Sequence, residues 1–214
     1  MFSEEFIIIS IVVLFTIGIL AFVFWFLKRT YAKVEVQWKQ LAEDLGLNID
    51  IPESNWRWIM QQYPSVYGNY EGFQISCYTF ARRSGKHTVI YTGFQMHLDN
   101  SKRKTLSLYK EGFFSKIGKA LGGQDIQIGH DEFDKKFIIK SNDDRFAKSL
   151  LDPRMRDLVL RKSHLFASDI ELTEEDELKY EARLQIAKDS QREDFVDLIK
   201  LTTTLAKRIQ ELNR

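Results

Sequence analysis

The sequence predicts an α+β protein in which an N-terminal transmembrane helix leads into a mainly antiparallel sheet with flanking helices and a C-terminal amphipathic helix. Three observations predict it. Residues 6–27 run for 22 positions without one ionisable side chain and are closed by Lys28 and Arg29. In the middle of the chain, apolar residues recur at alternate positions, as in Phe73-x-Ile75-x-Cys77 and Leu106-x-Leu108, which is the period of a half-buried strand. On either side, over 31–45 and 195–212, they recur at steps of three and four, the period of a helix lying on a core. The resulting divisions are 1–29 as anchor, 30–63 as a juxtamembrane helical segment, 64–188 as the α+β domain and 189–214 as the C-terminal amphipathic helix.

At about 1.5 Å of rise per residue the apolar run reaches roughly 33 Å, enough to cross a hydrocarbon core of about 30 Å. A cleaved signal peptide would have a basic start, a shorter apolar core and a small-x-small cleavage site. Here the order is reversed: Glu4 and Glu5 precede the run, Lys28, Arg29 and Lys33 follow it, and Phe24-Trp25-Phe26-Leu27 is too bulky for signal peptidase. The run reads as a retained single-pass span whose partner is the lipid bilayer. Lysine and arginine beside a span are held in the cytoplasm, so residues 28–214 are expected on the cytoplasmic face of the cell membrane. Trp25 and Tyr31 suit the interfacial belt, whereas Ser10, Thr16 and Gly18 lack a Gly-x-x-x-Gly pair and read as ordinary span residues.

Past the membrane, Tyr31, Val34, Trp38, Leu41 and Leu45 continue the helix, and Gly46 is a plausible stop. Ser54 or Asn55 is expected to cap a short second helix through Gln62, broken by Pro64. Three strands follow, around Phe73–Cys77, Ile90–Leu98 and Leu106–Leu108, joined by the polar connections 82–86 and 99–103 into an antiparallel meander. Residues 110–121 then form an amphipathic turn or helix, with Phe113, Phe114, Ile117 and Leu121 beside Lys110, Lys116 and Lys119. That segment either packs on the sheet or lies on anionic lipid, and packing is the simpler use of four large apolar side chains. Ile126 and Ile128 suggest a strand, and another is expected from Phe133 to Lys140. Asn142 is expected to cap a helix to Leu151, and Asp152-Pro153 to open the next with proline in the first turn. Residues 164–172 and 177–182 read as a final hairpin, although Glu174-Glu175-Asp176 also suits a helix start. From Ser190 the chain is helical, with Phe195, Leu198, Thr202, Leu205, Ile209 and Leu212 as its apolar stripe. The stripe is too short for a coiled coil, so packing on the domain is expected and a homo-oligomer is the alternative.

Composition narrows the function. The part beyond the span holds 31 basic and 28 acidic side chains, a formal charge of +3, too little to predict nucleic-acid binding. The charge is uneven: residues 28–110 hold twelve basic and seven acidic side chains, and 169–197 hold four and eleven. One cysteine, Cys77, excludes an internal disulfide, and its alternation with Phe73 and Ile75 makes it a buried strand thiol. Gly118, Gly122 and Gly123 lack the lysine and hydroxyl residue of a phosphate loop. His87, His97, His130 and His164 form no helical metal pair. His130 with Asp131 and Asp134 is the one local cluster of metal-ligating types, and an aspartate-rich turn accounts for it more simply. No serine sits in a nucleophile elbow. No residue is therefore assigned a catalytic, cofactor-binding or metal-ligating role, and no cofactor is expected.

The stretch Ile126 to Asp143, with Gly129-x-x-x-Phe133-Asp134-x-x-Phe137 at its centre, and the following Leu150-Leu151-Asp152-Pro153 resemble a pattern recurring in uncharacterised bacterial membrane-anchored proteins. The resemblance covers residues 64–172 and implies a bacterial origin and a small beta meander before a leucine-ended helix. It implies no catalytic residues, because that group has no assigned activity. Physically, Phe133, Phe137 and Ile139 are core positions, and Asp134 is placed to hydrogen-bond a nearby backbone. The function expected is a membrane-tethered cytoplasmic interaction or scaffold domain with an unidentified protein partner. The alternative is a membrane-tethered enzyme or small-ligand sensor with a pocket between sheet and helices.

Overall fold

The structure, a computed structural model, describes residues 4–53, 62–98, 102–112 and 125–213, apart from the side chains of Glu4, Glu5 and Ile7. It opens with one unbroken helix, α1 (Glu4–Leu45), of 42 residues. Its two halves meet different surroundings. Over the apolar run large side chains stay exposed, from 43% at Leu27 to 70% at Phe15, whereas Val34, Trp38 and Leu41 are fully buried in the domain. A helix exposing that much apolar surface at one end is long and apolar enough to cross a membrane.

Eight strands follow: β1 (Asn48–Asp50), β2 (Ser65–Tyr70), β3 (Phe73–Ser84), β4 (His87–His97), β5 (Leu106–Lys110), β6 (Phe137–Ser141), β7 (Ile170–Leu172) and β8 (Glu177–Ala182). They form one antiparallel sheet in the order β1-β2-β3-β4-β8-β7-β5-β6. The register aligns an apolar row across all eight: Ile49, Val66, Cys77, Phe94, Tyr180, Ile170, Leu108 and Ile139. The neighbouring row is Asn48, Tyr67, Ser76, Gln95, Lys179, Glu171, Ser107 and Lys140. Because successive side chains point to opposite faces, one face is apolar and the other polar.

The apolar face is covered by the inner half of α1 and by α5 (Asp189–Asn213), with the short helices α2 (Asp131–Lys136), α3 (Asp144–Leu150) and α4 (Pro153–Arg161) completing the core. Phe195 of α5 sets its edge on Phe94 at 5.8 Å, and Phe94 stacks on Tyr180 at 5.9 Å. Leu205 and Ile209 are fully buried, so the C-terminal stripe is covered within its own chain. The hydroxyls of Thr202 and Thr203 donate back to the carbonyls of Leu198 and Ile199, which satisfies them inside that apolar contact. Arg192 joins the two long helices, meeting Asp44 at 2.9 Å and the side chains of Gln37 and Gln40.

Several sequence expectations are corrected. The third meander strand, β5, does not lie beside β4: the β7–β8 hairpin inserts between them, pairing Tyr180 with Phe94 and Ile170 with Leu108. Neighbours in sequence usually pair, but a late hairpin with matching apolar alternation fits the same edge. Phe133 lies on α2, not on a strand, and β6 begins at Phe137. Acidic residues fill the first turn of α2 and Lys135 and Lys136 its last, which suits the helix dipole. Ile126 forms no strand; its N–H donates to the carbonyl of Ile139 at 2.9 Å before the chain turns at Gly129. The cap of α3 is Asp143, because Asn142 is occupied with the backbones of Thr105 and Arg103. His164 lies in a 3-10 turn, Ser163–Leu165, and Glu174 to Asp176 turn the final hairpin without opening a helix. Strands β1 and β2 lie outside the expected meander. The signal for β2 is the Glu71-Gly72 turn that joins it to β3, with φ of 51° and 93°, the positive angles a two-residue hairpin loop requires. The helix expected from Ser54 lies, apart from Gln62, outside the described residues, as does most of the 110–121 segment with Gly118, Gly122 and Gly123.

Candidate functional site

With the apolar face closed by helices, the polar face of the sheet is where the fold presents chemistry. Its centre is the polar row, of which Tyr67, Ser76 and Gln95, with Gln74, His97 and Glu177, line a shallow groove of about 250 Å³. These residues come from β2, β3, β4 and β8, brought together by register alone. The groove lies on the polar face, opposite the sheet–helix interface where the alternative reading expects a pocket. Its lining offers amides, hydroxyls, an imidazole and a carboxylate, suited to hydrogen-bonding a polar ligand.

Along the same face, charged groups are held by neighbours. Glu171 and Lys179 approach to 3.5 Å on adjacent strands. Burial raises the Glu171 carboxyl above its usual range, an effect larger than the lowering by Lys179. Further along, the Tyr78 hydroxyl donates to one oxygen of Glu181 at 3.0 Å, and Arg82 donates to the other at 2.7 Å. Burial first, and the Glu181 charge second, push the Tyr78 hydroxyl well up. The Arg82 guanidinium also lies over Phe80 at 4.8 Å and Tyr91 at 5.3 Å, and those rings stack at 5.6 Å. Gly93 is the small residue this packing needs: a Cβ there would stand 2.4 Å from the carbonyl oxygen of Tyr180. The cluster escaped sequence reading. Its signal was the second parity of β3, with Tyr78, Phe80 and Arg82 alternating against the core set Phe73, Ile75 and Cys77.

The His130 cluster is built as a turn. Asp134 accepts from the backbone N–H groups of Ile128, Gly129 and His130 at 3.0 to 3.1 Å, and His130 Nδ1 accepts from Phe133 N–H at 3.3 Å. Both Asp134 oxygens are thus engaged by backbone donors. Of the other histidines, His97 lies in the groove, His87 on the β4 end of a hairpin and His164 in its 3-10 turn. Cys77 is fully buried, and burial alone pushes its thiol above the ordinary value, which keeps it from acting as a nucleophile.

No protein-family model and no curated protein matches this chain. Among solved structures it is similar to the crystal structure of the mycobacterial trehalose monomycolate transport factor A, TtfA, with a TM-score of 0.52 and 13% identity. The alignment covers 82% of this chain and 94% of that one. At such identity the likeness is one of fold.

Proposed function

We propose that this protein is a bacterial, single-pass membrane-anchored interaction domain that holds a protein partner at the cytoplasmic face as an accessory of a membrane process. The observation that carries this reading is the continuity of α1. The exposed apolar half and the half buried in the domain core are one helix, so a domain mounted this way is held rigidly against the bilayer without a flexible linker. The cations Lys28, Arg29 and Lys33 directly after the span support a cytoplasmic domain. The fold it shares with a protein described as a transport factor supports an accessory role in moving material at the membrane. The Gly129-x-x-x-Phe133-Asp134-x-x-Phe137 signature serves this reading as architecture, since it closes a turn and fills the core.

Two measurements test it. A reporter active only outside the cytoplasm, fused after Arg214, stays silent; activity there reverses the orientation. Purification of the full-length chain in mild detergent from its host recovers a membrane protein at constant ratio. Recovery of the chain alone, with an unchanged mass after crosslinking in membranes, removes the scaffold reading. The groove around His97 and Glu177 favours a small-ligand sensor as the second reading, and ligand-dependent protection of that groove would promote it.

A further inference from the structure

Tyr31 ties the start of β2 to the part of α1 nearest the span: its hydroxyl donates to the carbonyl of Gln62 at 2.7 Å and its ring stacks on Tyr63 at 6.1 Å. At the other end of β2, Gly68 lies against Leu47, just beyond the end of α1, where a Cβ would stand 3.1 Å from the leucine methyl. Strand β2 therefore runs away from the span. Strand β3 is antiparallel to it and runs back. Its pairing with β2 ends at Cys77↔Val66, and β8 leaves β4 at Ala182↔Thr92. From Phe80 to Ser84 and from His87 to Tyr91 the two strands pair only with each other among the described residues. By that register Phe80 stands near the level of Tyr63, so Ala81 to Gly85 continue past the Tyr31–Tyr63 contact toward the end of the span. Only about 5 Å of helix separates Tyr31 from Lys28 at the end of the span.

The chemistry of the arm matches that position. It holds Arg83, Lys86 and His87 and no acidic residue, beside Arg82, whose charge is paired with Glu181, and positions 81–88 are all exposed. Arg83 and Lys86 make no ion pair among the described residues. Behind the tip, Phe80, Val89, Ile90 and Tyr91 are half-buried, and Arg82 lies over two of the rings. Cations at the tip with aromatic and aliphatic groups behind them are what an interface of anionic headgroups accepts.

We propose that the β3–β4 hairpin arm is a second membrane contact, docking on anionic phospholipid headgroups beside the point where α1 leaves the bilayer. This rests on the membrane-anchored reading. Two attachments fix the domain's rotation about α1 and so orient the polar face relative to the bilayer. Each basic side chain near an anionic surface contributes about fivefold in partition, an effect screened by salt.

The test uses the full-length chain with Ser84→Cys as a single labelling site, because Cys77 is fully buried. A fluorophore on that residue is read in vesicles of phosphatidylcholine alone or mixed with phosphatidylglycerol, each carrying headgroup-spin-labelled lipid as quencher. Expected is quenching several-fold greater in the phosphatidylglycerol vesicles, falling with added salt and abolished by Arg83→Gln with Lys86→Gln. Those two exposed positions leave the core untouched. Equal quenching in both vesicle types, or quenching that survives the double substitution, overturns the proposal. An alkaline wash separates the two readings. Chain released by the wash refutes the anchor and this proposal with it, whereas chain retained with an unquenched label refutes the hairpin contact alone.

Discussion

Replacing Phe94 by alanine tests whether sheet and C-terminal helix share one core. Phe94 is fully buried on β4, stacked on Tyr180 of β8 and met edge-on by Phe195 of α5. A buried aromatic ring removes roughly 150–250 Å² from water, which at about 25 cal/mol per Å² sets an upper bound of about 4–6 kcal/mol. Large-to-small changes at such sites cost about 3–5 kcal/mol once the residual cavity is included. For a chain of this size each kcal/mol lowers the melting temperature by about 2–4 °C, so a fall of roughly 6–20 °C is expected. The assay is thermal melting of the full-length chain in detergent, followed by near-ultraviolet circular dichroism. Phe80→Ala is the control, since that ring lies half-buried on the opposite face and its loss costs about 1 kcal/mol. A Phe94→Ala melt within about 2 °C of the parent, or equal to that of Phe80→Ala, refutes the placement of Phe94 beneath α5.

Three further outcomes follow from the same packing. Leu205→Lys with Ile209→Lys places two charges among fully buried positions and should lower the melting temperature at every protein concentration; an unchanged melt with loss of crosslinked dimers would make α5 an assembly element. Gly93→Val drives a side chain into the Tyr180 carbonyl and should cost about 1–3 kcal/mol or more, and a neutral result in urea denaturation would show that β8 does not approach so closely. Glu171 has its pKa raised in the folded state, so the fold binds that proton more tightly than the unfolded chain does. Its contribution is fully present below the ordinary glutamate value and is lost as pH rises through the folded value. Glu171→Gln should therefore gain stability relative to the parent as pH rises above that ordinary value, and a difference independent of pH would contradict the burial of this carboxylate.

Much of this architecture was legible because it depends on local pattern. A run without charge can only be exposed to lipid or buried, and the period of Val34, Trp38 and Leu41 can only be a helix lying on something. The short elements were less legible. Phe133 and Phe137 are four apart, a spacing that serves a helix turn as well as an alternating strand, and only the pairing of Phe137 with Lys110 on β5 shows where helix gives way to strand. The polar-face cluster was hidden for a different reason. Glu181 lies 99 residues from Arg82, and nothing along the chain brings them within 2.7 Å except the pairing of β4 with β8.

By itself the sequence determined that the protein has an apolar helix of spanning length, a basic flank after it, a sheet with one apolar face and a C-terminal helix whose stripe must be covered. These are properties of residue order, because hydrophobic period and charge act over a few neighbours. Only the tertiary structure decided which strands adjoin, and so which polar residues share one face. Strand pairing is a contest among edges of similar alternation, won by the combination that buries most apolar area without leaving backbone groups unpaired. The same contest left β3 and β4 longer than their neighbours, and it is that mismatch in length, invisible along the chain, that carries a basic hairpin beyond the rest of the sheet.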